Sequence, residues 1–481
     1  MHYSKAFAIL LFTFLHISSI TSEKSYRKSF INPYPRFKAY HDDGDPGEPL
    51  FLTPYIMTNK TTEARKLAAV KGNQFQQVES YSGYLTVDKH YNSNLFFWYF
   101  PAEVDPIHAP VVLWLQGGPG ASSLFGLFTE NGPFQFDGEK LKKRDFRWSR
   151  KLNLIYIDNP VGTGFSFADD EAGYSRNEKQ VGHNLYEAMK QLFMLFDFSK
   201  TKGFYVTGES YGGKYVPALA YYTHHAQKKS GPNDVKIPLK GMAIGNGLSD
   251  PEHQMNYGDY LYQLGLIDSN GRDEFQAAEK KGIDCIHKHD MNCAFDVFDS
   301  LINMDESSYG SLFRNLTGYD QYFNYLSTKP DTSDAFMGEF LQSALTRRAI
   351  HVGNKTFHDL EGENKVEEYL KADVMDSVAT WVADILNADE KYKVWIYNGQ
   401  LDIIVAYPLT MNYLQKLKFN AAEKYKEAKR AIWWVDGEIA GYKKEAGSLT
   451  ELLVRDAGHM APMDQPKWVF DLISNFTETN N

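Results

Sequence analysis

Cysteine is nearly absent: Cys285 and Cys293 are the only two in 481 residues. A disulfide-stapled small scaffold is thereby excluded, and a chain this long can bury a large core without one, in more than one structural unit. Long apolar runs are missing too. Nothing beyond the N-terminus approaches the roughly 18–20 uninterrupted apolar residues that cross a bilayer, so no membrane-spanning helix is expected. No dense Lys/Arg run occurs and the formal net charge is −10, which argues against nucleic acid and membrane surfaces as partners. The usual zinc-ligand spacings are also lacking. His287 and His289 between the two cysteines make C-x-H-x-H-x3-C, which matches neither a C-x2-C knuckle nor an H-x3-H helical pair. The expectation is a Cys285–Cys293 disulfide, worth roughly 2–3 kcal/mol on chain-entropy grounds, and no metal or cofactor.

What is present begins with an export signal. Lys5 supplies a positive start, Ala6–Leu15 form a short apolar block, and small polar residues follow to Ser22. Residues 1–22 therefore read as a signal peptide, and the protein as secreted or delivered to a lysosomal or endosomal lumen. Asn-x-Ser/Thr sequons at Asn59, Asn315, Asn354 and Asn475 fit that route as glycosylation acceptors. Residues 23–77 are polar and Pro-bearing, an N-terminal extension or a removable pro-segment. Aromatic residues make up 15% of the chain, and ordinary core packing accounts for most of them.

The chemistry is carried by Gly208-Glu209-Ser210-Tyr211-Gly212, directly after the apolar Phe204-Tyr205-Val206. This is G-x-S-x-G, the nucleophile elbow, with a β-prone run entering it and a helix-like segment, Lys214–Gln227, leaving it. Glycines flank the serine because the chain turns too sharply for a Cβ there. A serine that merely caps the following helix would give the same pentapeptide. Five more β-prone runs can be read: Val111–Leu115, Leu154–Ile157, Met242–Ile244, Val394–Tyr397 and Leu452–Val454. Helical patterns such as Asn184–Phe196 and Val374–Leu386 separate several of them, which implies a mostly parallel sheet flanked by helices. Tyr81–Val87 and Leu95–Phe100 read as an antiparallel hairpin leading into it. In such a sheet the site lies beyond the carboxyl ends of the strands, where Ser210, Asp402 and His459 each follow a run. Their order is that of the α/β-hydrolase fold. A serine needs a histidine to take its proton, and the histidine needs a carboxylate to fix its tautomer. Gly117-Gly118-Pro119-Gly120 suits an oxyanion loop, although a tight turn reads the same. It does not match the phosphate-binding patterns G-x-x-x-x-G-K-[ST] or G-x-G-x-x-G. The core spans residues 78–250 and 374–481. Between them, residues 251–373 are charged and amphipathic, a mostly helical insertion placed to cap the site.

Taken together, WLQGGPGASS (114–123), IDNPVGTGFSF (157–167), GESYGG (208–213), GNGLSDP (245–251), YNGQLD (397–402) and AGHMAP (457–462) resemble the serine carboxypeptidases of the α/β-hydrolase fold. The glutamine in WLQGGPG, together with YNGQLDIIV and YLYQLGLID, is most similar to the vitellogenic-like branch. The resemblance implies Ser210 as nucleophile, His459 as general base and Asp402 as its partner, with the N–H groups of Gly118 and Tyr211 as oxyanion hole. It further implies that Gln116, Gly117, Glu130 and Glu209 recognise the terminal carboxylate of a peptide or protein substrate. Because the two glutamates and that carboxylate are like charges that cannot all ionise cheaply side by side, activity is expected at acid pH. Typical members carry asparagine at Gln116 and cysteine at Ala121, so one family disulfide is missing here. An esterase or acyltransferase on the same triad, and a catalytically silent binding protein, are the alternatives. A homodimer is left open.

Overall fold

The structure is a computed structural model, and it describes residues 34, 37–303, 310–329, 335–359 and 365–478. The signal segment, 1–22, lies outside the described residues. The strands are β1 Tyr81–Asp88, β2 Ser93–Phe100, β3 Val111–Leu115, β4 Phe134–Asp137, β5 Lys140–Lys143, β6 Asn153–Ile157, β7 Phe204–Glu209, β8 Leu239–Gly245, β9 Lys393–Gly399, β10 Ala431–Val435, β11 Glu438–Ala446 and β12 Leu449–Val454. Ten of them form one sheet in the order β1-β2-β6-β3-β7-β8-β9-β12-β11-β10, while β4 and β5 pair as a separate hairpin. From β6 to β12 every neighbouring pair is parallel. These six strands contain the six runs read from the sequence. Buried on both faces, they are apolar almost throughout rather than alternating.

Side chains of successive strand residues point to opposite faces, so each strand feeds two cores. Leu113, Leu115, Ile155 and Val206 pack with the helices Glu178–Phe196 and Gly212–Lys229. Val112, Trp114, Leu154, Tyr156 and Tyr205 pack on the other side with Trp468, Leu472 and Phe476 of the helix Pro466–Thr477. This is the α/β-hydrolase fold.

Three features differ from the sequence reading. The helical pattern over Val374–Leu386 is two helices, Lys365–Val374 and Ala379–Asn387, interrupted at Met375–Val378. The break sets Asp373 and the carbonyls of Asp373 and Val374 against Lys214. The hairpin β10–β11 at the sheet edge was not among the runs, although Asp436-Gly437, with φ of 50° and 82°, is an ordinary hairpin signal. Finally, residues 23–77 are not uniform. Leu52, Ile56, Ala64 and Ala68 are wholly buried in the core, whereas Lys38–Asp45 are exposed. Within 251–373 the described elements are helices alone.

Candidate active site

The site is assembled where β3, β7, β8, β9 and β12 end. Chain direction reverses so abruptly after β7 that Ser210 sits at φ 61°, left-handed space that an L-residue occupies only under constraint. That constraint is a set of backbone bonds: Ser210 N–H donates to Gly245 O (3.1 Å), and Ser210 O accepts from Gly213 (2.9 Å) and Leu248 (3.0 Å). A Cβ at Gly208 would lie 2.6 Å from Leu115 O on the neighbouring strand, so glycine is required there for close approach. The helix Gly212–Lys229 leaves the elbow at once, and Ser210 itself makes no side-chain bond to it.

Asp402 and His459 come from the loops after β9 and β12, which are adjacent and parallel. His459 Nδ1 lies 2.9 Å from Asp402 Oδ2, and both side chains are completely buried. The same Asp402 oxygen accepts from Asn246 Nδ2 at 2.7 Å, and Asn246 Oδ1 accepts from Gly399 N–H at 3.1 Å. His459 is further held by its N–H to Phe323 O (2.7 Å) and by Phe323, whose ring stacks 5.4 Å away. His459 Nε2 has no hydrogen-bond partner among the described residues. Ser210 and His459 are therefore not hydrogen-bonded here. Such bonds commonly tighten only when substrate is bound.

Gly117 lies against the elbow: a Cβ on it would be 2.5 Å from Tyr211 N. The N–H groups of Gly118 and Tyr211 donate to no group among the described residues, which leaves two amide donors beside Ser210. Next to them Gln116 follows β3 and Glu209 ends β7, one step beyond the paired Leu115 and Gly208. Gln116 Nε2 donates to Glu130 Oε1 (3.0 Å) and to Glu209 Oε1 (3.3 Å), and its Oε1 accepts from Trp114 Nε1 (2.8 Å). Glutamine's extra methylene thus lets one amide bridge both carboxyls. Glu130 is delivered by a widened helical turn, Gly126–Glu130. Both glutamates are buried. Burial pushes Glu130 above the usual carboxylate range, and burial together with the neighbouring Glu130 charge does the same to Glu209. The Oε2 atom of each carboxyl has no hydrogen-bond partner among the described residues, and two buried carboxyls this near one another cannot both ionise cheaply.

Cys285 and Cys293 are joined to each other, Cα atoms 5.8 Å apart, at the junction of the helices Ser269–His287 and Met291–Phe298. Asn59, Asn315, Asn354 and Asn475 are all exposed. The sequence reading missed Asn246, Tyr34 and Phe323. Asn246 was signalled by its place in Gly245-Asn246-Gly247 after a strand, but the other two carry no local motif.

The serine carboxypeptidase profile matches residues 71–479. The chain belongs to the serine carboxypeptidase family. A venom serine carboxypeptidase of Apis mellifera is 55% identical over 94% of this chain and 96% of its own. The vitellogenic carboxypeptidase of Aedes aegypti is 50% identical over 91% of each chain. The human "Probable serine carboxypeptidase CPVL" is 46% identical over 90% of each. Among solved structures, the prohormone-processing carboxypeptidase Kex1Δp of Saccharomyces cerevisiae superposes with a TM-score of 0.68 at 20% identity, covering 87% of this chain and 98% of that one. That likeness is one of fold. The protein is a serine-type carboxypeptidase, a hydrolase that acts on the C-termini of peptides.

Proposed function

We propose that this serine carboxypeptidase removes C-terminal residues through a Ser210–His459–Asp402 triad and an acyl-enzyme. The observations that carry the reading are the buried His459–Asp402 pair, whose Nε2 is unpartnered among the described residues, and a serine held at φ 61° at the same end of the sheet. Ser210 Oγ attacks the last peptide carbonyl as His459 Nε2 takes its proton, while Asp402 holds Nδ1–H and stabilises the imidazolium. The oxyanion is met by the N–H groups of Gly118 and Tyr211. His459 returns the proton to the departing amine, and water then attacks the ester with the same histidine as base. Gln116, Gly117, Glu130 and Glu209 receive the leaving residue's carboxylate. A third carboxylate beside this pair is tolerated while a proton is shared, giving a charge-assisted hydrogen bond. Once both glutamates ionise they repel it, so peptide hydrolysis is favoured at acid pH. The work is done outside the cytosol, in a secreted or lysosomal setting, consistent with the signal-like N-terminus and the four exposed sequons, our proposed glycan sites.

A serine-directed organophosphorus reagent should label Ser210, and Ser210→Ala should lose both label and turnover; label on another serine would refute the assignment. For the pocket, kcat/KM against pH is compared for a blocked dipeptide and its C-terminal amide. The dipeptide should lose activity first as pH rises. Coincident profiles would sink the glutamate account.

A further inference from the structure

Ser210 is only 5% exposed and His459 not at all. Part of what covers them comes from the far N-terminus. The Tyr34 side chain, 3% exposed, lies within the site: its hydroxyl donates to Glu209 Oε1 at 2.8 Å. Its ring centroid is 5.1 Å from that of Phe125, 6.2 Å from Phe323 and 6.1 Å from the imidazole of His459. The Glu209 oxygen it takes is the one that Gln116 Nε2 also reaches.

The following residues are tied down along their length. Phe37 N–H donates to Asp359 O (3.1 Å), and Gln342 grips the backbone twice, accepting from Tyr40 N–H (2.9 Å) and donating to Lys38 O (2.9 Å). Asp42 accepts from Ala344 N–H at 2.8 Å, at the start of the helix Ala344–Ala349, and Asp45 pairs with Arg348. Leu50 N–H donates to His351 O at 3.0 Å. These anchors leave Lys38–Asp45 exposed, a strap of backbone lying on the surface between a buried tyrosine and the buried Leu52.

We propose that Tyr34 is an internal occupant of the leaving-group site, so that the intact chain excludes peptides until the strap is loosened or removed. The inference rests on the reading of Glu130 and Glu209 as the carboxylate pocket. A substrate's terminal carboxylate and the Tyr34 hydroxyl both need the space beside Glu209, and they cannot share it. Because Tyr34 is tethered, its effective concentration is of millimolar order. Substrate therefore binds only to the fraction of molecules in which the ring has left, and its apparent affinity falls by that fraction. The contrary possibility is a permanent wall of the pocket, in which case losing the ring would impair binding.

The experiment uses the full chain and two variants: Tyr34→Ala, and Asp42→Ala/Asp45→Ala, which keeps the tyrosine but loosens its strap. Melting temperature, kcat/KM for a blocked dipeptide, and the rate of Ser210 labelling by an organophosphorus reagent are measured for each. Occlusion predicts that both variants gain about tenfold or more in kcat/KM, chiefly through KM, and label faster. Should Tyr34→Ala fold poorly, the strap variant alone decides. Ser210 labelling at an unchanged rate with kcat/KM equal or lower would overturn the occlusion and leave the site reading standing. Label on a residue other than Ser210 would remove the site reading, and the occlusion with it.

Discussion

Gln116 satisfies three buried groups at once, taking the Trp114 indole N–H and giving its own N–H atoms to Glu130 and Glu209. Gln116→Ala would leave all three short of a partner, and each buried orphan costs about 1–3 kcal/mol. For a blocked dipeptide we expect KM to rise about ten- to a hundredfold with a smaller change in kcat, and much less effect on an ester without a terminal carboxylate. Steady-state kinetics on the two substrates checks this. Asp402 is used differently, since its Oδ2 accepts from both His459 and Asn246. Asp402→Asn would turn an amide donor toward one of them and favour the wrong imidazole tautomer. A loss of roughly 10⁴ in kcat with little change in KM is expected, as for other triads of this type.

At the scale of elements, the helix Gly212–Lys229 is locked to the C-terminal end of the helix Lys365–Val374. Lys214 is wholly buried, and its Nζ lies 3.0 Å from Asp373 Oδ2 and 3.3 Å from Val374 O, with Asp373 O a further acceptor. Asp373 also accepts from Tyr211 OH (2.9 Å) and Glu178 N–H (3.2 Å). The Lys214–Asp373 ion pair and the Tyr211 hydroxyl thus join the start of the helix Gly212–Lys229 to the Lys365–Val374 helix. Removing a single member strands a buried charge, so Lys214→Met is expected to lower stability by about 3–5 kcal/mol. Replacing the pair with apolar residues of similar volume should cost far less. Denaturant unfolding of the two variants distinguishes these outcomes.

For the whole molecule, the acids buried in the fold set a pH dependence of stability. Burial raises Asp158 from its ordinary 3.8 to about 7 and Glu279 from 4.5 to about 7, and it holds Glu130, Glu178 and Glu209 above their usual range. With a raised pKa the folded state binds more protons than the unfolded chain, so this contribution is fully present below the unfolded value. It is lost as pH rises through the folded one. His351, pushed down to about 4 by burial, acts in the opposite sense between about 4 and 6.5 and is outnumbered. Thermal unfolding should accordingly show the highest Tm in mildly acid buffer and a decline of several degrees by pH 8. A Tm rising from pH 6 to 8 would contradict the balance.

Local rules made much of this legible in the chain. Apolar β-prone runs forecast the six parallel strands, because strands buried on both faces must be apolar throughout, and G-x-S-x-G located the sharp turn at Ser210. The expectation that residues after parallel strands converge set Ser210, Asp402 and His459 at one end of the sheet, and the structure pairs two of them, Asp402 and His459. Asn246 was within reach by the same rule. The sequence could not say that glutamine would bridge Glu130 and Glu209, because that depends on side-chain reach across two strand ends. Nor could it show that Phe323 stacks on His459. Least of all could it reveal that Tyr34, 175 residues before Glu209, donates a hydrogen bond to it. Periodicity and turn chemistry act over a few neighbours and are written in order along the chain. Contacts between distant segments are decided by which surfaces remain to be buried once the elements pack, and only the tertiary structure holds that answer.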